Sequence, residues 1–96
     1  MTNNTTVTLT TVNELYQYLD SLFNQDIDND ILFAGGYLRG FISLVATEFG
    51  DEAQLLSSAL IEGVSEKLIQ SKSELSPQDH AIVNNFWLDI QSYMPL

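Results

Sequence analysis

The stretch ILFAGGYLRGFISLVATEFG, residues 31–50, decides the fold. Its apolar residues recur at helical spacing, and Gly50 stands where a helix C-cap needs glycine. Yet Gly35, Gly36 and Gly40 fall inside the segment. Each interior glycine costs about 0.5–1 kcal/mol relative to alanine, so the three together cost roughly 2–3 kcal/mol. A small domain has only about 5–15 kcal/mol of stability, so a compensating contact is expected. On a wheel of about 100° per residue, Ile31, Ala34, Leu38, Phe41, Ile42, Val45 and Phe49 form a wide apolar stripe. Gly36, Gly40, Ser43 and Thr47 lie opposite, within an arc of about 60°. Phe33, Tyr37 and Leu44 flank that small-residue strip on one edge, and Leu32 and Arg39 on the other. The expectation is one continuous helix, Ile31 to Phe49, that meets neighbours on two opposite sides. Close packing on the bare side would make Gly40→Leu cost more than about 2 kcal/mol. In the competing reading the strip faces water and the glycines are either tolerated or kink the helix at Gly35-Gly36.

Helical patterns continue on both sides of this segment. Thr11 and Glu14 have capping-box spacing, followed by Val12, Leu15, Tyr16, Leu19, Leu22 and Phe23 on one stripe. QDIDND then interrupts, and Asn29 or Asp30 is placed to cap the long helix. After Gly50, Asp51 is placed to cap a third helix carrying Ala53, Leu56, Leu60, Val64 and Leu68. SKSELS reads as a polar connection. In SPQD, Ser76 is an N-cap, Pro77 takes the first helical position and Asp79 completes a capping box. The fourth helix carries Ile82, Val83, Phe86, Trp87, Ile90 and Met94, and Pro95 ends it. Short connections favour antiparallel neighbours. The fold class is therefore all-α: a small four-helix bundle over residues 11–96, up-down-up-down in its simplest form. Residues 1–10, rich in Thr and Asn, form a flexible or extended tail.

Composition narrows the function. The 96 residues suit one domain, and 45 % apolar content supports a core. No uninterrupted apolar run approaches the roughly 20 residues of a membrane span. The start, MTNNTTVTLTT, lacks a basic region and an apolar core, so no secretory signal is expected. Without cysteine there are no disulfides, thiolate zinc sites or thiol catalysis. A cytoplasmic location follows by elimination. Thirteen acids against three cations, Arg39, Lys67 and Lys72, give a net charge of −10. That charge repels phosphate backbones and anionic lipid, so neither nucleic acid nor membrane is expected as a partner.

At LFAGGYLRG, residues 32–40, and again at ELSPQDHAIVNNFW, residues 74–87, the chain resembles the YfcL family of short proteobacterial proteins. The resemblance covers residues 31–87. It implies a small soluble helical protein and carries over no catalytic, cofactor-binding or metal-binding residue.

Few residues suggest chemistry by themselves. Asp26, Asp28 and Asp30 match the first ligand spacings of a calcium loop, but Ile31 replaces its glycine and Tyr37 its bidentate glutamate. A solvated acidic loop at a helix N-terminus is the better reading. Single His80 has no second histidine or cysteine to form a metal site, and reads as a packing or capping residue. Arg39 has no acidic residue three or four positions away, so any ion pair must be tertiary; Asp20 and Asp89 are the candidates. The leading reading is a non-enzymatic interaction module, adaptor or regulator, that contacts an unknown protein through Gly36, Tyr37, Arg39 and Gly40. Its rival is a small-ligand (anion) binder or enzyme with a pocket between helices near Arg39 and His80. A homodimer through the bare strip is a third reading. No cofactor is implied.

Overall fold

The computed structural model describes residues 8–95, and among them the architecture is all-α. Its helices are α1 (Val12–Leu22), α2 (Asn29–Phe49), α3 (Ser58–Gln70) and α4 (Pro77–Gln91), with a 3₁₀ turn at Lys72–Glu74. The centre of the molecule is α2, which packs against each of the other three and most extensively against α4. Contacts of Leu22 and Phe23 with the Gly35-Gly36 region and of Asp20 with Arg39 show α1 running antiparallel to α2. Likewise, Trp87 meets Ser65 and His80 meets Leu68, so α3 and α4 run antiparallel. The core is one cluster: Val12, Leu15 and Leu19 meet Leu38 and Ile42, Leu60 and Val64, and Val83, Trp87 and Ile90. All these side chains are essentially removed from water.

The helix starts follow local chemistry. Thr11 forms the expected capping box with Glu14. Asp28, one residue before the expected pair, caps α2 by accepting from the Asp30 amide at 3.0 Å. Ser76 accepts from the Asp79 amide at 3.1 Å, with Pro77 in the first turn. Gly50 ends α2 at φ +150°, a backbone state side-chain-bearing residues rarely adopt.

One start was misplaced. The third helix begins at Ser58, capped by Ser57, and not at Asp51. Residues 51–57 instead serve the neighbouring helix ends. The carbonyls of Gln54 and Glu52 accept from the amides of Val12 and Asn13, at 3.1 and 2.9 Å. These are two of the donors that an α-helix leaves orphaned at its N-terminus. The Gln54 side-chain amide closes the other end, donating to the carbonyls of Ala46 and Asp51 at 2.9 and 2.8 Å. A helix through this segment would consume the same groups internally. Ala53, expected on the third stripe, is exposed as a result.

Residues 1–7 of the expected tail lie outside the described residues, and residues 8–10 carry no helix or strand and are pinned. Leu9 is buried, its amide donates to the Tyr93 carbonyl at 2.9 Å, and the Thr10 carbonyl accepts from Leu56 at 2.8 Å. Glu14 reinforces this anchor. Its carboxylate accepts from the Thr10 hydroxyl and the amides of Thr10 and Thr11, at 2.6, 2.8 and 3.2 Å. These bonds, led by that of the Thr10 hydroxyl, hold its pKa below the ordinary 4.5.

By length and composition, α2 is apolar enough to cross a membrane. In the structure it is the central helix of the bundle, with Ala34, Leu38, Ile42, Val45 and Ala46 in the core.

Candidate functional site

The two sides of α2 are unlike, and not in the way its glycines suggest. Gly35 is buried: a Cβ there would lie 3.5 Å from Leu22 and 3.8 Å from Phe86. Gly36 and Gly40 are exposed. A Cβ at Gly36 would meet only Phe23, at 3.8 Å, and one at Gly40 would meet nothing within 4 Å. The expected close packing of the small-residue strip against another helix of the same chain is therefore absent. The helix itself is continuous through Gly35-Gly36, and Gly36, Gly40 and Thr47 are exposed, as the competing reading expects.

Beside the bare strip runs an aromatic ladder one helical turn apart. Phe33 stacks on Tyr37 at 5.8 Å between centroids, and Tyr37 meets Phe41 edge-on at 4.9 Å. Rings four residues apart meet because the helix brings such positions onto one face. Leu44, 58 % exposed, extends the same edge. The Tyr37 hydroxyl is buried and has no hydrogen-bond partner among the described residues. Such an orphaned group costs about 1–3 kcal/mol.

On the other edge, Arg39 is already engaged. Its Nε and a terminal nitrogen donate to the two carboxylate oxygens of Asp20, at 2.7 and 3.2 Å. The guanidinium also lies 4.5 Å from the Tyr16 ring centroid. The pair clamps α1 to α2. With both partners partly exposed, it contributes about 0–1 kcal/mol. Of the two acids offered by the sequence, the fold selects Asp20. A shallow cavity of about 320 Å³ beside Arg39 is lined by α1, α2 and the start of the following loop.

His80 lies elsewhere. Its Nε2 faces the Leu68 carbonyl at 3.2 Å, which requires the proton on that nitrogen, and the buried Ser71 hydroxyl donates to the same oxygen at 3.0 Å. His80 thus caps the C-terminus of α3, a structural role. Arg39 and His80 do not share the cavity that the ligand-binding reading needs. Among the described residues no three His, Cys, Asp or Glu side chains converge as a metal site would require. Asp28 and Asp30 serve the start of α2.

Fold and site together define a small all-α bundle hung on one central helix, its recognisable polar side chains committed to caps and one ion pair. Within that class, the chain belongs to the YfcL family, whose model, described as YfcL protein, matches residues 10–92. It is 38 % identical over 61 residues to the uncharacterized protein YfcL of Escherichia coli (strain K12), a match covering 62 % of this chain and 66 % of that one. The match therefore spans just under two thirds of the relative's length. No solved structure matches the chain.

Proposed function

We propose that this protein is a non-enzymatic interaction module that docks another protein on the outer side of α2, around Gly36, Tyr37, Arg39 and Gly40. One observation carries the reading: the chain leaves out side chains at Gly36 and Gly40 without using the space. Two exposed interior glycines forgo roughly 1–2 kcal/mol of helix stability. No close neighbour among the described residues offsets that loss at Gly40. Stability given up at one surface is a common mark of function. The flanking Phe33 and Leu44 offer apolar area to whatever approaches.

A second copy of the chain is one candidate partner, and the experiment separates it from a different protein. Gly40→Trp fills the strip without touching the core. Sedimentation at several concentrations detects a dimer, and its loss in Gly40→Trp would assign that dimer to this face. If the wild type stays monomeric, capture of a partner by wild type and not by Gly40→Trp supports the module. Equal capture by both proteins, with equal melting temperatures, would refute it.

A further inference from the structure

A different surface carries a more specific assignment. Between the last two turns of α2 and the outer face of α3 runs an open groove of about 600 Å³. At its floor Gly63 lets the helices approach closely: a Cβ there would lie 2.9 Å from Val45. The buried Val45 and half-buried Gly63 form its floor, with Ala59 one turn before Gly63. Phe49 and Ile69, 51 % and 69 % exposed, stand as apolar walls. Around them lie the carboxylates of Glu48, Glu62 and Glu66, against the single ammonium of Lys67. Among the described residues the only ion pair is Arg39–Asp20, so these three acids are not neutralised by the fold.

We propose that this groove binds a basic amphipathic helix of another protein, its apolar stripe against Val45, Phe49 and Ile69 and its lysines or arginines beside Glu48, Glu62 and Glu66. An apolar trough flanked by one sign of charge selects a helix with that pattern in complement. Glu62 and Glu66 are one turn apart and project along the same side, matching cations spaced one turn apart on a bound helix. The charge also decides against other occupants. A second copy would bring its own acids and a net charge of −10, and anionic lipid or nucleic acid would be repelled. The groove lies on the α3 side of α2, away from Gly36 and Gly40, so this proposal stands or falls independently of the previous one.

The probe is a synthetic amphipathic helix of about 16 residues, leucine on one face and lysine on the other, long enough to span α3. It is titrated into the full isotope-labelled chain at about 0.15 M salt, where the screening length is about 8 Å. Saturable amide shifts are expected at residues 59–70 and around Phe49. The double variant Glu62→Lys/Glu66→Lys should weaken binding at least about tenfold. Glu52→Lys/Glu74→Lys, an identical charge change on exposed sites elsewhere, should weaken it less than about threefold, because screening confines the effect of distant charges. Ile69→Ser, on a side chain already exposed, should weaken binding about threefold or more. Equal weakening by the two double variants would overturn the proposal, since attraction would then be to net charge alone. Shifts mapping to Gly36 and Gly40, no saturable binding, or equal affinity for a scrambled peptide would overturn it as well.

Discussion

Gly63 and Gly40 are the same residue in two opposite situations. At Gly63 the missing side chain lets α3 settle against Val45, and a methyl group would collide at 2.9 Å. At Gly40 a methyl group would meet nothing within 4 Å. The first glycine is needed by the packing of the chain. The second is tolerated by the chain and is not required by its packing. The same division runs along the whole of α2. Leu38 and Ile42 on the inner side are fully buried, whereas Leu44 on the outer side is 58 % exposed.

Substitutions can break or sharpen this contrast. The largest effect is expected at the inner side: Ile42→Ala should destabilise by about 3 kcal/mol, because a fully buried side chain leaves a cavity. Denaturant unfolding measures it, and a loss below about 1 kcal/mol would show that the inner side is not the core. Gly63→Leu comes next, at about 2 kcal/mol destabilising, since stiff Val45 must yield or the helices must separate. Gly40→Ala should reverse the sign, raising stability by about 0.5–1 kcal/mol through helix propensity alone. A clear loss there, dependent on protein concentration, would instead reveal a dimer buried over Gly40.

The smallest effect concerns the anchored N-terminus. Glu14 has a depressed pKa in the folded chain, so its carboxylate contributes stability above the unfolded value near 4.5, and that contribution disappears as pH falls through the folded value. Wild type should therefore exceed Glu14→Gln in melting temperature at neutral pH, and the gap should narrow as the pH drops below about 4.5. A gap that is flat with pH would show that the carboxylate's charge plays no part in holding Thr10 and Thr11.

Much of the fold was legible because the signals are local. Thr11–Glu14 and Ser76–Pro77 each place a helix start through hydrogen bonds or dihedral restraints spanning a few residues. Gly50 marks an end by its backbone freedom alone. The start of α3 was not legible. Asp51 and Ser57 are both competent caps, and the choice turned on the Val12 and Asn13 amides, which lie about forty residues away in sequence and need the carbonyls of that loop. For the candidate surfaces the record is similar. A helical wheel correctly grouped Gly36 and Gly40 on one side, but it cannot say what lies beyond a face. Within the chain the tight position is that of Gly63, while Gly35 makes ordinary contact with Leu22 and Phe86. The Ala59–Gly63 and Glu62–Glu66 pairs on α3, each one turn apart, were the available signal for the groove. They became meaningful only with Val45 and Phe49 beside them.

By itself, then, the sequence determined four helices, their periodicity, most of their ends and the tertiary nature of any Arg39 ion pair. Only the tertiary structure decided that α2 is central, that Asp20 takes Arg39, that His80 caps α3, and which glycines face a neighbour. The reason is physical. Helix propensity and capping act over one or two turns, whereas the burial of a face depends on which distant surface arrives to cover it.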